Sequence, residues 1–315
     1  MYLHRGVPCP QVCITPADTK GTQLIVSVAL NAALDVSYEV AGVAWDGLNR
    51  VPAGRHRAAG RGVTVARVLH TFGHEVSAAG LAGGATGELI RSDLAGSGVP
   101  TDFTRTGRES RRVIWVTDTK RGTTACFRES APYITTEELG RFAADYRRLV
   151  RDATAVVLCG SLAAGLPPDI YGTLATYAAE VGVPVVLNAG GSALRFGVAR
   201  RPALVIPDAP AGGSTPPRAR ELIEAGARAV VAPSADGIRA VAVGGEWQAH
   251  GVRFPGGQAQ GALVAGLVPG LLLGWSWPDR LRHALALAAA ADAFGSIDIA
   301  AYEQYVAQVV VEPPE

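Results

Sequence analysis

The sequence predicts an α/β fold built on a mainly parallel, doubly wound sheet. Three observations predict it. From Thr136 onward, short β-rich apolar runs alternate with helical stretches of about ten to fifteen residues, which is the spacing of βαβ crossovers. The 38 glycines and 20 prolines are spread along the chain, as a fold with many tight turns requires. At 315 residues, 48% of them apolar, the chain stands at the upper end for one domain and is long enough to bury a sizeable core.

The elements follow in order. Residues 1–22 carry Pro8, Pro10 and Pro16 without periodicity, and read as a flexible arm that lacks the charged-then-apolar order of a signal peptide. Leu24 to Leu30 is a buried strand, and Val36 to Arg57 is a region of short alternating pieces read as exposed antiparallel strands. Gly62 to Gly73 has helical spacing through Val65, Val68, Leu69 and Phe72, and ends on a stop glycine. A strand over Val76–Leu81 and a helix over Gly87–Gly98 come next. A hairpin then pairs Arg111–Asp118 with Thr123–Phe127 around Lys120-Arg121-Gly122.

Beyond it, helices are expected over 136–151, 169–181 and 218–225, and strands over 155–159, 183–187, 204–206 and 229–232. A second hairpin spans 238–247, and helices over 278–293 and 302–309 close the chain. The richest apolar run, Gly261 to Trp275, is broken by Gly266, Pro269, Gly270 and Gly274, short of the ~20 residues a bilayer span needs, and reads as buried. No internal repeat or interdomain linker interrupts residues 23–315, which read as one domain.

Charge and cysteine usage narrow the function. A formal net charge of +1, with no basic stripe, argues against a nucleic-acid partner, and the apolar content argues against a disordered chain. Four cysteines suit a reducing, cytoplasmic setting. Cys9 and Cys13 have metal-like spacing, but no second Cys/His pair completes a site, so they read as ordinary thiols and no metal site is assigned. Cys126 and Cys159 lie in apolar runs and read as core.

Candidate chemistry sits in glycine-rich loops between strands and helices. Gly60-Arg61-Gly62 opens a helix, where close backbone approach, free N–H groups and the Arg61 charge suit an anion as well as they suit a plain turn. Gly83-Gly84-Ala85-Thr86-Gly87 and Gly160-Ser161-Leu162-Ala163-Ala164-Gly165 are similar. Gly256-Gly257-Gln258-Ala259-Gln260-Gly261 heads the long apolar helix, a place suited to a transferring phosphoryl group or to a tight turn.

Taken in order, these loops resemble those of the ribokinase-type (PfkB) carbohydrate kinases, and most of all the branch of 1-phosphofructokinases and tagatose-6-phosphate kinases. Asn31-Ala32-Ala33-Leu34-Asp35 stands for the family's N-P-A-x-D, Gly60 to Arg67 for its G-K-G-x-N-x-A-R, and Ser234-Ala235-Asp236-Gly237 for a further loop. The resemblance implies a Rossmann-like main domain with a small β-sheet lid, here roughly 36–57 and 104–127, through which subunits pair as a homodimer. It implies ATP and Mg2+ as cofactors and a sugar phosphate as substrate. Asp35 takes the sugar-binding position, Gly60, Arg61, Gly62 and Thr64 the sugar-phosphate loop, and Arg111 or Arg112 the lid arginine. Asn188, Asp208, Ser234, Asp236 and Gly237 fall at nucleotide-binding positions.

The catalytic end departs from the pattern. The family's G-A-G-D, whose backbone forms an anion hole and whose Asp is the base, becomes Gly257-Gln258-Ala259-Gln260. Gln260 is an amide and accepts no proton, so general-base help worth about 10²–10⁴-fold is expected to vanish. The K-P-N-x-x-E motif becomes Ile206-Pro207-Asp208-Ala209-Pro210-Ala211, without its lysine and metal-supporting glutamate. Two readings follow: a weak sugar-phosphate kinase, in which Asp208 is the nearest candidate for a relocated base, and a non-catalytic relative that binds a sugar phosphate or nucleotide.

Overall fold

The computed structural model describes residues 23–208, 216–234, 236–257, 259–292 and 294–312. The arm expected over 1–22, with Cys9 and Cys13, lies outside these residues, as do Ala209, Pro210, Ala211, Ala235 and Gln258.

In chain order the first part supplies β1 (Leu24–Ala29), β2 (Ala33–Val40), β3 (Arg55–Ala59), α1 (Arg61–Thr71), β4 (Val76–Gly83), α2 (Gly84–Gly96), β5 (Thr101–Thr106), β6 (Arg111–Asp118) and β7 (Thr123–Arg128). The middle adds α3 (Thr136–Arg151), β8 (Ala153–Cys159), α4 (Ile170–Glu180), β9 (Val185–Ala189), α5 (Gly191–Val198), β10 (Leu204–Pro207), α6 (Pro216–Glu224) and β11 (Ala229–Pro233). The last part adds β12 (Gly237–Ala242), β13 (Gly245–His250), α7 (Ala259–Leu272), α8 (Trp277–Ala289), α9 (Ile299–Gln308) and β14 (Val310–Glu312).

A ten-stranded sheet has the order β14-β13-β12-β11-β10-β9-β8-β1-β4-β5, parallel from β11 to β5 and antiparallel from β11 outward to β14. Its strands are apolar on both faces because helices cover both. Ile25 and Ala29 of β1 join a core with α1, α2, α7 and α8, while Val26 and Val28 join a second core with α3 to α6. Local signals set the helix ends. At α3, Thr135 Oγ1 accepts from the Glu138 N–H (3.2 Å) and the Glu138 carboxylate accepts from the Thr135 N–H (2.8 Å), a reciprocal capping box. Where α1 crosses β1, a Cβ on Gly62 would stand 2.6 Å from the Val28 carbonyl oxygen, so only glycine lets the helix start against the strand. α7 is buried through most of its length with Pro269 inside it, and no helix among the described residues is long and apolar enough to cross a membrane.

A separate four-stranded sheet has the order β3-β2-β6-β7, with β2 and β6 parallel and the outer pairs antiparallel. Four expectations need correction here. Residues 41–54 form no strand, and β2 begins at Ala33 with its first four residues buried. Thr104–Thr106 belong to β5 at the edge of the large sheet, not to the small one. Cys126 is exposed because β7 is the outer strand of the small sheet, whereas Cys159 is buried in β8. The sequence reading also passed over β5, α5 and β14.

Candidate active-site cleft

In a doubly wound sheet, ligands bind outside the carboxyl ends of the parallel strands. Here that edge carries Asn31 after β1, Gly160 after β8, Asn188 at the end of β9 and Asp208 just past β10. The small sheet hangs from the same edge, because β2 leaves two residues after Asn31 and β3 returns through Gly60 into α1.

Register gathers one polar face on the small sheet. Asp35 pairs across β2–β3 with Arg57 and across β2–β6 with Val113, and Val113 pairs with Arg128 on β7. Paired residues share a face, and so do residues two apart, so Arg111 and Trp115 flank this row. Asp35 is 2% exposed and its Oδ1 has no hydrogen-bond partner. The Arg111 Nε and the Asn31 Oδ1 are also buried without partners. Burial pushes the Asp35 carboxyl up to about 6, against the opposing influence of Trp115, Arg111, Arg57 and Arg128. Burial also lowers Arg57 and Arg111, each helped by a neighbouring arginine: Arg67 for Arg57 and Arg128 for Arg111. Positive charge therefore exceeds negative charge on this face.

Arg111 is the arginine that faces Asp35. Arg112 points to the opposite face, is exposed, and is bonded to Glu129 (Nη2 to Oε1, 2.7 Å). That opposite face lines a cavity of about 460 Å³ with Tyr38, His56 and Glu109. Asn31 Nδ2 donates to Ser161 Oγ (3.2 Å) and the Leu162 carbonyl (3.3 Å), which brings the loop after β8 to this end of the cleft.

The head of α7 is arranged differently. Arg61, first residue of α1, donates from both terminal nitrogens to the two carboxylate oxygens of Asp208, one at 2.9 Å. Its Nη1 also meets Asn188 Oδ1 (3.1 Å) and Gln260 Oε1 (3.5 Å). Burial disfavours the Arg61 charge, but the Asp208 hydrogen bond and charge outweigh it and hold the guanidinium above its ordinary range. The amide nitrogens of Asn188 and Gln260 donate to the carbonyls of Ile206 (2.7 Å) and Pro207 (3.0 Å), which fixes both amide oxygens toward Arg61. The sequence resemblance put Arg61 in the sugar-phosphate loop, Asn188 and Asp208 among nucleotide positions and Gln260 at the base. The fold joins all four in one network.

Thr64 is 5% exposed and packed in a joint, since a Cβ on Gly261 or Gly295 would stand 2.8 or 2.6 Å from its side chain. That joint connects the cleft's two ends: Trp115 lies edge-on to Phe294 (6.1 Å), and Arg57 bonds Ser296. Gly256 and Gly257 take left-handed φ of 72° and 57°, and the N–H groups of Ala259 and Gln260 donate to their carbonyls (3.1 and 3.2 Å). The Ala259 N–H of the expected anion hole therefore has a partner within the turn. Ser234, Asp236 and Gly237 line a cavity of about 300 Å³ with Val252, Arg253 and Phe254, and Ser234 Oγ is buried there without a partner.

The carboxylate at the head of α7, Asp208, is engaged by Arg61 through both of its oxygens. Sequence reasoning missed Arg57, Arg128 and Trp115, whose place on the Asp35 face follows only once strand register is known.

Comparison with known proteins agrees with the fold and with the family resemblance. The pattern of the pfkB family of carbohydrate kinases matches residues 23–207, more than half the chain, and the protein belongs to that family. A Thermotoga maritima structure described as a possible 1-phosphofructokinase superposes with a TM-score of 0.82 at 22% identity, covering 92% of this chain and 99% of that one. Escherichia coli phosphofructokinase-2 in complex with fructose 6-phosphate gives 0.79 at 22% identity, with 91% and 98% covered. At these identities the likeness establishes the shared fold.

Proposed function

We propose that this pfkB-family chain binds a phosphorylated sugar against the Asp35 face of the small sheet, and that it transfers phosphoryl groups weakly or not at all. In this reading Asp35 accepts hydrogen bonds from sugar hydroxyls, and Arg111 with Arg57 and Arg128 receives the phosphate by charge-assisted hydrogen bonds. The unpartnered buried atoms of Asp35, Arg111 and Asn31 support it, since native proteins rarely leave such atoms bare unless something else satisfies them.

The observation that carries the second half is the Gln260 amide. The motif match gives it the family's base position, and it is anchored to the Pro207 carbonyl at 3.0 Å. Asp208 is no substitute while it is bonded to Arg61 through both oxygens. In the family, ATP with Mg2+ supplies the phosphoryl group and offsets its charge. Here the cavity at Ser234, Asp236 and Gly237 suits the nucleoside part, and the α7 head lacks what the triphosphate part requires.

A homodimer through the small sheet belongs to the same reading. The face opposite Asp35 exposes Phe127 (50%), with exposed Trp45 6.5 Å from it, and an apolar edge of this kind needs cover. Cytoplasmic residence follows from the cysteine usage.

The test is phosphoryl transfer from Mg-ATP to fructose 1-phosphate, fructose 6-phosphate and tagatose 6-phosphate. Turnover at least about 10²-fold below the 1–100 s⁻¹ common to kinases is expected for all three. Turnover within that range on any one of them would overturn the proposal.

A further inference from the structure

We propose that Asp208 is a built-in plug that keeps polyphosphate out of the cleft: its carboxylate occupies the anion position that Arg61 would otherwise offer to a nucleotide. This rests on the reading above in placing a nucleotide's phosphates at the head of α7. It goes beyond it in assigning their exclusion to one side chain.

The seat for that carboxylate is constructed from several elements. Arg61 is only 20% exposed along its side chain, and Asp208 33%. Asp208 is held from its backbone by an N–H to the Ala189 carbonyl (3.0 Å). Its side chain lies over Gly190, where a Cβ would stand 2.9 Å from Oδ2, so the absence of a side chain at residue 190 makes room for the carboxylate. The remaining contacts of the Arg61 Nη1 are the amide oxygens of Asn188 and Gln260, both turned inward by bonds to β10 carbonyls.

The pair thus mimics the bidentate guanidinium–phosphate contact that a polyphosphate would make. An incoming polyphosphate meets a like charge at contact distance, and it gains Arg61 only by displacing Asp208. A singly phosphorylated sugar bound at Asp35 and Arg111 does not have to do so. The plug therefore selects by ligand class: it admits a sugar phosphate on the small-sheet side and rejects a polyphosphate at the α7 head.

The experiment is calorimetric titration of the full chain with inorganic tripolyphosphate, on the wild type, Asp208→Ala and Asp208→Asn. Both variants are expected to bind at least about tenfold more tightly than the wild type, because the like charge is removed and Arg61 is released. The Arg61→Ala/Asp208→Ala double variant is expected to lose that gain. Asp208→Asn keeps the size and polarity of the side chain and covers the case in which the alanine variant folds poorly. A folded Asp208→Asn or Asp208→Ala protein that binds no tighter than wild type would overturn the plug, and so would a gain that survives the loss of Arg61. A parallel titration with fructose 1-phosphate separates the two claims. Tripolyphosphate gain without any sugar-phosphate binding would sink the functional reading and leave the plug standing.

Discussion

The two ends of the cleft handle charge in opposite ways. On the small sheet, Arg57, Arg111 and Arg128 gather round the buried carboxylate of Asp35, and buried polar atoms of Asp35, Arg111 and Asn31 have no partner. At the head of α7, Arg61 is matched by Asp208, and the Asn188 and Gln260 amides are bonded at both their oxygen and nitrogen ends. An unsatisfied buried polar group costs about 1–3 kcal/mol, a debt that a ligand can remove. Among the described residues, the polar groups at the α7 head carry no such cost, so they gain less from an incoming ligand. On the proposed reading, the contrast is between an end of the cleft open to a phosphorylated ligand and an end whose polar groups satisfy one another.

Replacing Asp35 should break the comparison most sharply. Asp35→Asn is expected to weaken fructose 1-phosphate binding about 10–100-fold, since a charged acceptor becomes a neutral amide. The same change should stabilise the fold. The Asp35 carboxyl sits at about 6 in the folded protein against 3.8 for a free side chain. Its contribution is therefore fully favourable below about pH 4 and is lost as pH rises through about 6. Relative to wild type, Asp35→Asn should gain up to about 3 kcal/mol at pH 8 and close to nothing at pH 4, as read from urea denaturation at both values. Equal stabilities at pH 8 would mean that the carboxylate is not strained by its burial.

Next in size is Arg61→Ala, which leaves Asp208 and two inward amide oxygens without their shared donor. A loss of about 1–3 kcal/mol in denaturant unfolding is expected. Its effect on fructose 1-phosphate affinity should be smaller than that of Asp35→Asn, and a larger one would place the sugar's phosphate at α1 rather than on the small sheet. The smallest effect should come from Arg112→Ala. Its exposed pair with Glu129 is screened by solvent and contributes little to stability. Sugar-phosphate affinity should stay within about threefold, because the side chain faces away from Asp35.

Much of the fold was legible where a local signal exists. The Thr135/Glu138 box marks the start of α3, and alternation through Val113 and Trp115 marks β6 over Arg111–Asp118. β5 (TDFTRT) is polar at most positions, and α5 has only eight residues, two of them glycine, so neither has a periodicity that pattern reading detects. The site was legible as a set of loops in the right order but not as partnerships. Arg61 and Asp208 are 147 residues apart, and nothing local indicates that they meet. Arg57 and Arg128 join Asp35 only through the registers of β2–β3 and β6–β7, set by pairing across the sheet. Burial on an outer strand is likewise decided by what packs over it, which is why Cys126 in an apolar run is exposed.

The most direct measurement of the central claim is calorimetric titration of nucleotide-free protein with fructose 1-phosphate, fructose 6-phosphate and tagatose 6-phosphate, repeated on Arg111→Ala. Saturable binding of at least one of the three is expected without any nucleotide, and is expected to be lost in the variant. Absence of binding by all three, while Mg-ATP binds with high affinity, would contradict it.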